Sequence, residues 1–154
     1  MGNDAIHTAP PARMNLPAAA PDVFGAMVTF ATQAENELPA DLASLVKIRA
    51  SQINGCAYCL AMHTGEARAA GVSEQRLGSL SGWRDVRIFS DSERAALALT
   101  EAMTLVAGEQ VPDEVFAEAA GHFDEPVLAR LLWTIAAINA WNRVAIATRM
   151  VPAP

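Results

Sequence analysis

The chain has 154 residues and a mass of 16.3 kDa, the size of one ordinary domain with room for a hydrophobic core that needs no disulfide support. Its formal net charge of −6, with eleven Lys and Arg scattered singly or in pairs, argues against a polyanionic partner such as nucleic acid. At 52% hydrophobic and 18% charged residues it is apolar for a free monomer, which predicts burial between subunits as well as within them.

No stretch reaches the run of about 18 apolar residues that a membrane span needs, because the most apolar segment, 127–148, is broken by Arg130, Asn139, Asn142 and Arg143. The opening MGNDAIHTAPPARMNLPAAAP lacks the basic start and apolar block of a secretory signal. It reads as an extended arm over 1–20, ahead of a single domain over 21–154. The expected compartment is the reducing cytoplasm, where two close cysteines point to redox or metal chemistry rather than to a structural disulfide.

In chain order, PDVFGAMVTFATQAENE spaces Val23, Met27, Phe30 and Ala31 at helical period, with Asp22 as N-cap candidate. LPADLASLVKIRASQI predicts a second helix with Pro39 near its start, running to about Asn54. Asn54 and Gly55 break it, and CAYCLAMHTGEARAAG restarts a helix that Gly71 closes. VSEQRLGSLSGWRDV predicts a short helix and a turn with a capping-type start at Ser73. SDSERAALALTEAMTLVAG predicts a helix from Ser90, Asp91 or Ser92, with Glu93 in its first turn, to Gly108. VPDEVFAEAAGHF gives another short one behind Pro112. DEPVLARLLWTIAAINAWNRVAIATRM gives the longest, capped by Asp124, with Pro126 in its first turn and Pro152 as its stop. No period-two run or hairpin dipeptide competes, so the expected fold is an all-α bundle of six or seven helices.

Both cysteines of the chain lie in NGCAYCLAMH, at the predicted start of a helix. Unpaired N–H groups and the positive end of the helix dipole favour a thiolate there, which predicts a lowered pKa for Cys59. His63 stands one turn beyond Cys59 on the same face, placed to exchange the thiol proton. Cys56 is close enough to Cys59 for the pair to form and break a disulfide. The expected scheme is attack by Cys59 on an electrophilic oxygen or sulfur and resolution by Cys56, though the two roles are interchangeable on sequence grounds. Cys56, Cys59 and His63 would make three zinc ligands, but no second Cys pair exists, and His7 and His122 fall in the arm and a distant helix. No metal is therefore expected. Two inert buried thiols are the remaining reading.

The stretch LVKIRASQINGCAYCLAMHTGEARAAG resembles the core of the AhpD-like branch of the carboxymuconolactone decarboxylase family, also called alkylhydroperoxidase D-like proteins. GWRDV, ERAALALTEAMTLV and INAWNRVAIATRM resemble its later helices. The resemblance implies an all-α fold, assembly into dimers, trimers or hexamers, and thiol-dependent reduction of small hydroperoxides or disulfides. No bound cofactor is expected, and recharging is expected from an unidentified dithiol donor. Cys56, Cys59 and His63 match the family's redox pair and histidine. The other branch decarboxylates a lactone without needing the cysteines, so a complete CxxC favours the peroxidase side.

The peroxidase members carry a glutamate twelve positions before the first cysteine, where this chain has Ser44. A serine hydroxyl relays a proton through water but is no base near neutral pH. Asp41, three residues earlier on the same helix face, is one candidate substitute, though it reads with more weight as an N-terminal charge favoured by the helix dipole. Tyr58, where some relatives have a second histidine, is read as a hydrogen-bond donor or, with more weight, as packing. Asn139, Trp141, Asn142 and Arg143 are expected to act structurally, and Trp83 and Trp133 to sit in the core or an interface. The alternatives to a peroxidase are a decarboxylase-like enzyme acting on a cyclic carboxylate and a non-catalytic redox-sensing oligomer.

Overall fold

The structure, a computed structural model, describes residues 10–152. His7 and much of the expected arm lie outside the described residues. The rest of that arm is not wholly extended: Leu16–Ala19 form a single helical turn, α1, capped by the Asn15 side chain, which accepts from the Ala18 N–H at 3.2 Å. Arg13 ties the segment down by donating from its backbone N–H to Thr148 at 2.8 Å and from its guanidinium to Ala147 at 3.1 Å.

Seven longer helices follow. They are α2 (Pro21–Ala34), α3 (Ala40–Asn54), α4 (Ala57–Ala69), α5 (Glu74–Ser79), α6 (Asp91–Thr104), α8 (Asp113–His122) and α9 (Glu125–Thr148). A lone turn, α7 (Val106–Glu109), and a 3₁₀ segment, Leu80–Asp85, complete the set, and no strand occurs among the described residues. The all-α bundle expected from the sequence is the one observed.

Several boundaries follow from local chemistry. Gly55 takes φ 70°, a left-handed conformation that a residue with a Cβ resists, and so ends α3 and turns the chain into α4. Ser90 and Glu93 form a reciprocal capping box at α6, and Asp124 accepts from Val127 N–H at 3.1 Å to start α9. Other boundaries depart from the sequence reading. Asp22 lies inside the first turn of α2, which begins at Pro21 with no side-chain cap. The α6 segment bends at Leu105, and the turn after it is made by Gln110 at φ 63° rather than by Gly108. The stop of α9 is Arg149 at φ 54°, before Pro152 is reached.

Helix α3 runs through the middle, packed on α4, α6 and α9. It buries Leu42, Ala43, Ser44, Leu45, Val46, Ile48, Ala50 and Ser51, so its surroundings are protein on nearly every side. Leu42 and Val46 join Leu99, Leu128, Leu131 and Ile135 in one hydrocarbon cluster. Leu45 and Ile48 join Leu80, Trp83, Phe89 and Leu97 in a second. Trp83 is core, as expected. Its Nε1–H donates to Glu101 at 2.8 Å, and the Arg84 and Arg94 guanidinium groups lie 4.2 and 5.1 Å from its ring centre. A third cluster, at the C-terminal end of α3, holds Ala50, Cys56, Cys59, Ile138 and Ala145.

Helix α2 lies against α9 through two edge-to-face aromatic pairs, Phe24 with Trp141 at 5.3 Å and Phe30 with Trp133 at 5.7 Å. Only its Ala34 is fully buried. Val23 and Val28 of α2, and Trp133 and Ile146 of α9, are exposed; Trp133 is not in the core of this chain.

Candidate active site

Cys56 is the N-cap of α4. Its backbone is extended, and its sulfur accepts the Cys59 N–H at 3.4 Å. The i+3 geometry that makes this cap also brings the two sulfur-bearing residues together. Both are 1% exposed. They differ in what they face: Cys59 lines a cavity of about 260 Å³ together with His63, whereas Cys56 lies behind it.

The expected low pKa of Cys59 is overturned. Burial, and next its hydrogen bond with Cys56, push the Cys59 thiol from an ordinary 9.0 up to about 12, against an opposing hydrogen bond from Asn142. The helix terminus does supply an N–H, but it serves the Cys56 sulfur, and removal from water dominates at Cys59. The resting Cys59 is a thiol at neutral pH and needs a base to react.

His63 is the candidate for that base. His63 is 5% exposed; its Nδ1 lies 2.8 Å from Glu66 Oε2, and its Nε2 is buried with no protein partner. Glu66 is held at about 2, chiefly by its hydrogen bond with His63 and then by the charges of His63 and Lys47. It is therefore a carboxylate that only accepts, so Nδ1 carries a hydrogen and Nε2 is the ring nitrogen left without a partner. Lys47 holds the same oxygen at 3.1 Å and Glu35 at 2.7 Å, which joins α2, α3 and α4 at the cavity rim.

The sequence reading did not single out Glu66, Lys47 or Glu35. The i,i+3 spacing of His63 and Glu66 was a usable signal. Asp41, the candidate substitute, is not at the site: its carboxylate accepts its neighbour's Leu42 N–H at 2.9 Å and lies 3.7 Å from Arg76. Ser44 is buried, donates to Ala40 O at 2.8 Å, and borders a second cavity that shares only Glu35, Lys47 and Glu66 with the first. Ser44 thus stands across the ion cluster from the thiols. Tyr58 lines the thiol cavity half-buried, in the third cluster.

The polar residues of α9 prove divided. Asn142 donates to Ser51 Oγ at 3.0 Å and accepts from Asn54 at 2.9 Å; Asn139 accepts from Asn54 at 2.9 Å and donates to Thr104 at 3.0 Å. These bonds lock α9 to α3 and α6, the structural role expected, but Asn142 also reaches the Cys59 sulfur. Trp141 walls the cavity rather than serving structure alone. His122 sits on α8 beside Glu118 at 3.3 Å, away from the thiols. No group of three His, Cys, Asp or Glu gathers among the described residues, and no helix there is long and apolar enough to cross a membrane.

An all-α bundle whose helix start carries a buried dithiol beside a histidine is the arrangement of an AhpD-like protein. Residues 21–102 match the carboxymuconolactone decarboxylase family, and the chain belongs to that family in its AhpD-like branch. It is 46% identical over 103 residues to the uncharacterized protein YdfG of Bacillus subtilis, a match spanning 67% of this chain and 70% of that one. It is 33% identical over 88 residues to the uncharacterized YnjA of Escherichia coli, across 57% of this chain and 48% of the relative. Among solved structures, a protein of unknown function from Agrobacterium tumefaciens, described as a candidate antioxidant defence protein AhpD, superposes with a TM-score of 0.90 at 34% identity. That match covers 94% of this chain and 99% of the other. The debrominase Bmp8 shares the fold at a TM-score of 0.78 and 22% identity, over 88% of this chain and 74% of its own.

Proposed function

We propose that the protein is a thiol-dependent reductase of small hydroperoxides that works through Cys59 and Cys56. The observation that carries this reading is the shared cavity, lined by Cys59 and by a histidine whose buried Nε2 has no hydrogen-bond partner. The description of the Agrobacterium protein points the same way. In the proposed cycle His63 Nε2 takes the Cys59 proton, and Glu66 stabilises the resulting imidazolium through Nδ1–H. The thiolate attacks the peroxide: an S–O bond forms, the O–O bond breaks, and the departing alkoxide takes the proton back from His63. Cys56 then displaces the hydroxyl of the Cys59 sulfenic acid, giving a disulfide and water. An external dithiol reduces that disulfide, so that the two electrons lost to the peroxide return.

The test is hydroperoxide consumption supported by a small dithiol. The Cys59→Ser and Cys56→Ser variants should each lose at least about a thousandfold in turnover, the scale on which a missing nucleophile is felt. Unchanged turnover in Cys59→Ser rejects the reading. Self-association and a cytoplasmic setting belong to the same proposal. The exposed Val23, Val28, Trp133 and Ile146 supply apolar surface for a second copy, and light scattering checks the subunit count.

A further inference from the structure

Threonine hydroxyls inside helices normally return to the carbonyl one turn back. In this chain Thr29 donates to Gly25 O at 3.0 Å, Thr100 to Ala96 O at 2.7 Å and Thr148 to Val144 O at 2.6 Å. Thr32, Thr64, Thr104 and Thr134 do not; among these described residues only Thr134, in the middle of α9, has its hydroxyl buried with no partner at all. It is 2% exposed, its Oγ1 is buried without any partner, and it lines the thiol cavity. A buried hydroxyl left unpaired costs stability, so its retention at a cavity wall points to a ligand that completes it. Two residues of the cavity lining thus carry a buried polar atom with no partner, Thr134 Oγ1 and His63 Nε2.

Apart from the hydroxyls of the more open Thr32 and Tyr58, the remaining lining is apolar or already paired. Phe24, Val28, Met62, Ile138, Trp141 and Met150 form most of the wall. The charged residues on it, apart from His63, are Lys47, Glu35 and Glu66, and Lys47 is spent on both carboxylates. Lys47 is shared between two carboxylates, so an entering carboxylate meets repulsion from Glu35 and Glu66 and no unpaired lysine or arginine.

We propose that Thr134 donates its hydroxyl to the peroxide oxygens of an uncharged hydroperoxide with an apolar organic group, and that the Glu35–Lys47–Glu66 cluster excludes carboxylated analogues. The proposal deepens the peroxidase reading and rests on it for the identity of the reacting group. Thr134 is a substrate-binding residue in this scheme, and the cluster sets selectivity by charge.

Binding is measured by calorimetry on the full-length reduced protein with three inert probes: cumyl alcohol, 4-isopropylbenzoate and cumene. The alcohol should bind at least about tenfold more tightly than the carboxylate. Thr134→Val, which keeps the volume and deletes the hydroxyl, should weaken the alcohol by about tenfold and leave cumene unchanged. That variant should also melt no lower than the parent, since it removes an unpaired polar atom. Glu35→Gln should narrow the gap between alcohol and carboxylate by releasing Lys47. Equal binding of alcohol and carboxylate, or an alcohol affinity untouched by Thr134→Val, overturns the proposal. Turnover separates the two claims. Selective binding without Cys59-dependent consumption of cumene hydroperoxide leaves this proposal standing on binding and sinks the peroxidase reading. Cys59-dependent consumption that is equally fast with the 4-carboxylated hydroperoxide does the reverse.

Discussion

Helices α3 and α9 meet twice, and the two meetings are built of different material. Their N-terminal halves join Leu42 and Val46 to Leu128, Leu131 and Ile135, a contact of hydrocarbon alone. Their C-terminal halves join Ser51 and Asn54 to Asn139 and Asn142 through hydrogen bonds of 2.9–3.0 Å, with the thiols and a cavity beside them. The first contact gains from close packing and apolar burial. The second forgoes part of that gain to hold sulfur, imidazole and an open volume in fixed relation, and it avoids a larger loss by satisfying its buried amides. Stability and chemistry are thus assigned to opposite ends of the same helix pair.

Cutting each end separately sharpens the contrast. Leu131→Ala, at a fully buried site in the hydrocarbon half, should cost about 2–5 kcal/mol of stability in chemical denaturation. The rate of thiol oxidation per folded molecule should stay as it was. A variant that lost both together would show that the two ends are coupled. Glu66→Gln acts at the other end and should lower turnover by about a hundredfold, within the range of an impaired acid–base group. Its stability signature is tied to acid. Glu66 titrates at about 2 rather than 4.5, so the stability it gives is present above pH 4.5 and disappears as the pH falls through 2. Melting curves of parent and Glu66→Gln should therefore converge across that window; a gap that persists below pH 2 contradicts the assignment. The smallest effect is expected from Ser44→Glu, which restores the family residue. Because Glu66 already occupies His63 Nδ1, turnover should change by less than about threefold, well below the full effect of an acid–base group. A large gain would mean that Glu66 is not the working partner.

Much of this was legible in one dimension. Gly55, Ser90 with Glu93, and Asp124 act on backbone within four residues of themselves, so their caps could be read directly. The alignment of Cys56, Cys59 and His63 is likewise a matter of helical period. Burial is not: whether Cys59 gains from the helix terminus or loses from dehydration depends on Ile138, Ala145 and Asn142, more than 75 residues away. The ion pair of Asp41 was illegible for the same reason, since its partner Arg76 arrives from another helix. Lys47 with Glu35 spans a loop between α2 and α3, and no local rule selects that pairing. Thr134 carries no signal in one dimension; only its missing hydrogen bond sets it apart.

The capping role of Cys56 gives the molecule its own reporter. While the pair is reduced, the amide hydrogen of residue 59 rests against sulfur, so converting that sulfur to a bridge must alter the magnetic environment of a single, identifiable nucleus. A ¹⁵N correlation spectrum could then follow the electron count of the protein in real time, with no dye and no engineered label.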